Sequence, residues 1–127
     1  DYIFFLGKID FPHVVSLLKE TDVFCLPTVY PEGFPTSVLE AAACRCFVVT
    51  TDRGGSKELI QNDSYGKIME GNSPEEVYQN LMEALSDDDY RKAAIEKSYQ
   101  RLTENFTWEI VSGKVRKIAD TLCQSHQ

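Results

Sequence analysis

The chain has 127 residues, of which 43% are hydrophobic and 26% charged. That supply of about 55 apolar side chains is enough for one core, and we expect a single domain over residues 1–127 rather than a disordered or low-complexity segment. Thirteen basic and twenty acidic residues give a net charge of −7, which argues against a nucleic-acid partner because nucleic-acid binders need a basic face. No apolar run approaches the roughly 20 residues of a membrane span, and no basic region precedes the first apolar stretch, so we expect a cytoplasmic protein.

The four cysteines do not resemble a secreted disulfide framework. Cys25 lies in an apolar run, and Cys44 and Cys46 are only two residues apart, so we expect buried, reduced thiols. A metal site would require His13 or His126 to join Cys44 and Cys46 from distant, unpatterned positions. The sequence therefore predicts no metal site.

Short β-rich runs alternate with helical stretches through the first 70 residues. The predicted strands are Ile3–Leu6, Asp22–Leu26, Cys46–Thr50 and Gly66–Met69, and the helices between them begin near Pro12, Ser37 and Lys57. This alternation predicts an α/β fold with a parallel sheet of about four strands. The third strand has almost no polar residue, which indicates burial on both faces. Beyond Met69 we expect only helices, with Ser73 and Thr107 as caps of two of them.

An acidic loop, residues 31–36, leaves the carboxyl end of the second strand and enters the following helix. Loop amides and a first helical turn present unpaired N–H groups at a positive dipole end, which favours an anion such as a diphosphate. Gly33 allows a ligand to approach the backbone closely. Glu32 on the loop and Glu40, expected on the first helical turn, could accept hydrogen bonds from sugar hydroxyls.

Three other interpretations of these carboxylates remain open from local sequence. Ser37 and Glu40 also have the spacing of a capping box, in which Glu40 would bond the Ser37 backbone N–H. Glu32 could be an ordinary solvated loop acid. A glycosidase acid pair would require the two carboxyl groups to lie about 5 to 10 Å apart across a bound sugar, and a loop Glu with a helix Glu does not establish that.

The segment EGFPTSVLEA, with Glu32 and Glu40 separated by seven residues, resembles the E-x7-E motif of family 4 retaining glycosyltransferases, the group 1 enzymes with the GT-B fold. The flanking chain agrees with that family in order and spacing over nearly its whole length. The agreeing segments are Phe5–Gly7, Thr21–Pro27, Phe47–Asp52, Gly54–Gly55, Glu58 and Phe106–Trp108.

The resemblance implies a partial Rossmann-like, three-layer α-β-α domain from the C-terminal, donor-binding half of a two-domain enzyme. Such enzymes transfer a hexosyl unit from a UDP- or GDP-sugar with retention, without a catalytic metal or other cofactor, often in polysaccharide or glycoconjugate synthesis. The resemblance implies that Glu32 contacts the transferred sugar at the reacting centre and that Glu40 binds the ribose. It implies that the sugar and diphosphate lie against the backbone of Gly33, Phe34, Pro35 and Thr36. It also implies that Ile9 and Asp10 lie beside the nucleobase. The full-length enzyme would be cytoplasmic, with peripheral membrane association as one expectation.

The chain also departs from the family pattern. Arg45 stands where the family usually has a glycine in a left-handed helix cap, a conformation that costs Arg roughly 1 kcal/mol. The N-terminal domain, its catalytic His and the Arg/Lys pair for the donor phosphates are not in this sequence. Each lost phosphate contact removes roughly 1.5 to 3 kcal/mol, so we expect millimolar or weaker donor affinity and no turnover.

The family's sheet order would place two further strands between the first and second strands of this chain. We therefore expect Ile3–Leu6 to pair directly with Val23–Leu26, or the vacant edge to pair with a second copy in a homodimer.

Two aromatic and acidic features have competing interpretations. Asp87–Asp89 has the D-x-D spacing of a metal motif, but we expect helix capping because it lies between two helices. Trp108 is expected to pack the final helix onto the sheet, with a sugar-stacking platform shared with Phe106 as the alternative. A non-enzymatic α/β interaction module that keeps the fold without donor binding is the rival function.

Overall fold

The computed structural model describes residues 2–31 and 33–124 and has three layers around a parallel sheet. In chain order its elements are α1 (Phe11–Lys19), β1 (Val23–Leu26), α2 (Thr36–Ala43), β2 (Phe47–Thr51), α3 (Ser56–Leu59), β3 (Lys67–Met69), α4 (Pro74–Ser86), α5 (Asp88–Asn105) and α6 (Trp108–Gln124). The strands lie side by side in the order β1-β2-β3, and both pairs are parallel. The predicted α/β class and parallel sheet are confirmed.

The central strand β2 is buried on both faces, as its apolar sequence predicts. Val48 on one face packs in a cluster with residues of α1, α2 and α3. Phe47 and Val49 on the other face pack with Met69 and with Ala84 and Ala94 of α4 and α5. Alternate side chains of one strand thus enter two separate cores, which is the arrangement that a three-layer fold requires.

The predicted strand at Ile3–Leu6 is wrong, so the described sheet has three strands rather than about four. This segment forms no strand, and Ile3 and Phe5 are 82% and 97% exposed. A β-rich sequence is stable as a strand only when a neighbouring strand satisfies its backbone and covers one face. The predicted pairing with Val23–Leu26 is not formed, because β1 pairs only with β2 among the described residues.

Arg45 adopts the left-handed conformation that the family's glycine would provide, with φ of 63°. It follows α2 in a Schellman cap, in which the Cys46 N–H donates to Ala41 O (2.9 Å) and the Arg45 N–H to Ala42 O (3.1 Å). The guanidinium then reaches α5, where it pairs with Glu96 and lies 4.1 Å from the centre of the Tyr99 ring. These contacts offset the strain in the backbone.

The four cysteines are free thiols, but the prediction that they are buried holds only for Cys46, since Cys25 and Cys44 are half-buried and Cys123 is exposed. Cys46 is fully buried and donates to the Leu18 carbonyl oxygen at 3.1 Å, which joins the start of β2 to α1. Burial, with smaller contributions from Cys44 and Asp22, raises the pKa of the Cys46 thiol from 9.0 to about 11. This thiol is therefore a structural group and a poor nucleophile.

The C-terminal helices begin at the predicted caps. Ser73 accepts the Glu76 N–H at 3.2 Å, and Thr107 accepts the Ile110 N–H at 3.4 Å. Asp87 accepts the Tyr90 N–H at 2.9 Å and caps α5. The D-x-D spacing therefore belongs to a helix start, which confirms the capping interpretation.

The prediction that Trp108 packs α6 onto the sheet is wrong. Its side chain is 86% exposed, and no residue of α6 is buried among the described residues. The apolar side chains of this helix instead form one exposed face, comprising Val111, Val115, Ile118 and Leu122. These apolar residues recur at helical spacing, but that spacing does not specify which surface covers the apolar face. None of the helices in the described part of the chain is long and apolar enough to cross a bilayer.

Candidate functional site

The candidate site lies where the parallel strands end. Because β1 and β2 are parallel, their carboxyl ends and the loops that follow them share one edge of the sheet. The loop after β1 enters α2, and the loop after β2 enters α3. This edge is where open α/β sheets bind ligands.

Two threonines of β2 hold the beginning of the acidic loop. The Thr50 hydroxyl donates to Leu26 O at 3.1 Å, and the Thr51 hydroxyl donates to Thr28 O at 2.6 Å. Both threonines are buried. Their hydroxyls therefore satisfy carbonyl groups that leave the β1 ladder, and they fix the direction of the loop.

Gly55 fixes the other end of the loop. Its N–H donates to the Gly33 carbonyl oxygen at 2.5 Å. A Cβ atom added at Gly55 would lie 2.7 Å from that oxygen and 3.0 Å from the Phe34 ring, so only glycine fits here. A Cβ atom at Gly33 itself would meet nothing within 4 Å among the described residues. The backbone at Gly33 is thus held from one side and open on the other.

The first turn of α2 has no side-chain cap. Pro35 occupies the N-cap position, with only its carbonyl engaged by the Val38 N–H at 3.1 Å. The backbone N–H groups of Thr36 and Ser37 have no partner among the described residues. The other long helices, α1, α4, α5 and α6, all have a side chain that accepts from the first turn. The α2 N-terminus therefore retains free donors that suit an anion.

The capping-box interpretation of Glu40 is wrong. The helix begins at Thr36, so Ser37 lies inside the helix and Glu40 on its second turn rather than its first. The Glu40 side chain is half-buried, and its carboxylate has no hydrogen bond or ion pair with any described residue. A carboxylate in this state remains available as a hydrogen-bond acceptor for a ligand.

Glu40 lines a cavity of about 530 Å³ between α2, the end of α5 and the start of α6. Phe34 and Phe106 form part of its apolar wall, with ring centres 5.4 Å apart and planes at 61°. Thr36 and Trp108 also border it. The cavity is therefore largely apolar, with polar groups concentrated at the α2 side.

A second cavity, of about 560 Å³, lies at the start of α1. Its lining comprises Leu6, Lys8, Ile9, Asp10, His13 and Leu17. Asp10 caps α1 by accepting the His13 N–H at 3.3 Å, and it also contacts the His13 ring. Since α1 ends just before β1 begins, its N-terminus lies toward the edge of the sheet that carries the acidic loop.

The structure thus places most of the predicted site residues in two groups. Gly33, Phe34, Pro35, Thr36 and Glu40 surround the α2 N-terminus, while Ile9 and Asp10 line the cavity at α1. Glu32 lies outside the described residues, so its predicted sugar contact stays a prediction.

Thr51 and Gly55, which position the loop, were not predicted from the sequence, although both lie in segments that match the family pattern. Lys8 and His13 were likewise not predicted as neighbours of Asp10. In the described residues, no group of three or more His, Cys, Asp and Glu side chains is placed to hold a metal ion.

Comparison with known proteins identifies the family. The model of group 1 glycosyl transferases matches residues 1–101. The chain belongs to this family. An uncharacterized glycosyltransferase of Methanocaldococcus jannaschii is 27% identical over 120 residues, which cover 94% of this chain and 31% of that protein. The chain spans about a third of the length of the first curated relatives it matches.

Solved structures of other proteins share the fold. Sucrose-phosphate synthase from Thermosynechococcus elongatus superposes with a TM-score of 0.84 at 20% identity, covering 96% of this chain and 30% of that one. Anabaena HepE, in complex with UDP, gives a TM-score of 0.72 at 21% identity, with coverage of 85% and 29%. These likenesses establish the GT-B-type α/β architecture of the described domain.

Proposed function

We propose that this chain is the nucleotide-sugar-binding part of a retaining glycosyltransferase. The parent enzyme would transfer a hexosyl unit from a UDP- or GDP-sugar to an acceptor in cell-surface polysaccharide or glycoconjugate synthesis. It would work in the cytoplasm, with peripheral attachment to the membrane. Membership of the group 1 family and a structural neighbour that was solved with UDP support this proposal.

The observation that carries the proposal is the unpartnered Glu40 carboxylate on the helix whose N-terminus is also uncapped. A diphosphate requires N–H donors, and ribose hydroxyls require acceptors. The α2 N-terminus offers the donors, and Glu40 offers the acceptor one turn further along the same helix. Neither group has a structural partner among the described residues, so a ligand that carries both a diphosphate and ribose hydroxyls would satisfy the N–H donors and the carboxylate together.

The proposed roles follow the chemistry of each group. The backbone of residues 33–36 borders the sugar and diphosphate, Glu40 accepts from the ribose hydroxyls, and Glu32 accepts from hydroxyls of the transferred sugar. Transfer with retention would occur on the face that the diphosphate leaves, with the departing diphosphate helping to deprotonate the acceptor. This scheme needs no metal, because the helix N-terminus and cations of the parent enzyme neutralise the phosphates.

The parent enzyme would also supply an N-terminal domain with the acceptor site. In the isolated chain, the open edge of β1 and the exposed Ile3–Leu6 segment could pair with those of a second copy in a homodimer. Sedimentation that shows only monomer at high concentration would contradict the dimer.

The test is a Glu40→Gln variant titrated with a nucleoside diphosphate, alongside a 2′,3′-dideoxy analogue. If Glu40 accepts from ribose, the substitution should weaken binding of the normal nucleotide by about 1 to 3 kcal/mol and leave binding of the dideoxy nucleotide unchanged. Glu75→Gln is the matched control, since it removes one exposed carboxylate from α4. Equal binding by wild type and Glu40→Gln would contradict the ribose role.

A further inference from the structure

Arg101, near the C-terminal end of α5, is a cation outside the residues assigned to the proposed site. It is half-buried and forms no ion pair with any of the described acids. Its Nε atom instead donates to Glu58 O, in α3, at 2.8 Å. Its guanidinium carbon also lies over the Phe106 ring, 6.0 Å from the ring centre. Arg101 therefore contacts two different segments, and both segments contact the acidic loop.

The contact with Glu58 connects Arg101 to Gly33 through a series of hydrogen bonds. The Glu58 N–H donates to Gly55 O at 2.9 Å, and the Gly55 N–H donates to Gly33 O at 2.5 Å. Gly55 is the N-cap residue of α3, which has only four residues. So short a helix leaves most of its carbonyl groups without a partner inside the helix. The bond from Arg101 satisfies one of these groups and ties α3, together with Gly55, to α5.

The contact with Phe106 connects Arg101 to the next residue of the loop, Phe34. Phe106 directly follows α5, and its ring centre is 5.4 Å from that of Phe34, with the planes at 61°. A planar guanidinium can donate from its edge while its face covers an aromatic ring, so one side chain serves both contacts. The two connections therefore end at adjacent residues, Gly33 and Phe34.

We propose that Arg101 is a positioning residue for the donor site, which holds Gly33 and Phe34 in the conformation that receives the diphosphate. The inference rests on the proposed function. Arg101 acts through Glu58 O and the Phe106 ring rather than through a ligand contact. A loop that is already ordered binds more tightly, because the ligand then does not have to order it.

The first test needs no ligand and uses Arg101→Met, which keeps an aliphatic side chain but removes the donor and the charge. Amide hydrogen exchange is measured by NMR. The Gly55 amide should exchange about tenfold faster relative to the amides of β2, because its bond to Gly33 O opens locally while the central strand reports global unfolding. Arg101→Lys keeps a donor for Glu58 O but lacks the planar face, so it should give a smaller change in the same direction.

Arg91 supplies the matched control on the same helix. Its guanidinium also donates to a backbone carbonyl of a neighbouring helix, Ala84 O in α4, at 2.9 Å. Arg91→Met should therefore lower the overall stability of the chain as well. It should leave the exchange of the Gly55 amide unchanged relative to that of β2.

The second test titrates the same variants with GDP, UDP and ADP. If Arg101→Met reduces the ordered fraction of the acidic loop to about a tenth, the Kd of each nucleotide should rise about tenfold, since the competent fraction divides the affinity. The factor should be the same for all three because they share the diphosphate. Arg91→Met should leave the three Kd values unchanged.

The outcomes separate this inference from the proposed function. Equal effects of Arg101→Met and Arg91→Met on Gly55 exchange would overturn the positioning role. Unchanged nucleotide affinity in Arg101→Met would also overturn it and leave the donor site standing. A wild-type chain that binds no nucleotide would contradict the donor site itself, and Gly55 exchange would still decide whether Arg101 holds the loop.

Discussion

Replacing Arg45 should separate backbone strain from side-chain contacts. The left-handed backbone of Arg45 costs about 1 kcal/mol relative to glycine. Its guanidinium contacts return about 0.5 to 1 kcal/mol from the Tyr99 ring and at most about 1 kcal/mol from the exposed Glu96 ion pair. Strain and contacts therefore nearly balance in the wild-type chain.

Arg45→Ala removes the contacts and keeps the strain, so it should lower the free energy of unfolding by about 1 kcal/mol. Arg45→Gly removes both, so its stability should lie within about 0.5 kcal/mol of wild type and above that of the Ala variant. Urea unfolding followed by circular dichroism, with equal m-values for the three proteins, measures the differences. An Ala variant as stable as the Gly variant would refute the left-handed cap.

Two further substitutions test the site loop and the buried thiol. Gly55→Ala should destabilise the chain by about 1 to 3 kcal/mol in urea unfolding because its Cβ would collide with Gly33 O. The control, Gly113→Ala, places its Cβ in open space within α6 and should stabilise the chain by up to about 1 kcal/mol. Similar effects at both positions would contradict the close approach of the loops that carry Gly33 and Gly55. Burial raises the pKa of the Cys46 thiol from 9.0 to about 11, so the protonated thiol contributes to the stability of the folded state below pH 9. This contribution is lost as the pH rises from 9 to 11. The free energy of unfolding, measured in urea, should therefore fall over that range by up to about 2.7 kcal/mol and fall less in Cys46→Ala. An identical fall in both proteins would show that Cys46 does not titrate there.

Much of the fold could be predicted because its signals are local and periodic. The nearly apolar run at Cys46–Thr50 indicated a strand buried on both faces, and the caps at Ser73, Asp87 and Thr107 located three helix starts within one residue. Each of these features depends on the residue and its near neighbours alone.

The errors arose where stability depends on distant partners. Ile3–Leu6 has a strand sequence, but no strand lies beside it in the described chain to complete the ladder. Trp108 is apolar and lies at the start of the amphipathic helix α6, so burial was expected. The periodicity of that helix could not show that Trp108 is exposed in the described domain. Burial depends on the apolar face of a helix and on the surface that packs against it, and the sequence of the helix describes only its own face.

At the candidate site, the local interpretation of one residue, Glu40, was wrong. Ser37 and Glu40 have the spacing of a capping box, but the N-cap position is taken by Pro35, two residues before Ser37. Ser37 then falls inside the helix and cannot cap it. The same shift leaves Glu40 without a structural role among the described residues, which strengthens its candidacy as a ligand-binding carboxylate.

The most direct test of the account is an amide NMR titration of the wild-type chain with UDP, GDP and ADP to several millimolar. The account predicts that at least one nucleotide shifts a connected set of amides at residues 33–40, with further shifts at Ile9 and Asp10. A well-dispersed spectrum in which all three nucleotides leave these amides unmoved would contradict the central claim that the α2 N-terminus and Glu40 form a nucleotide-donor site.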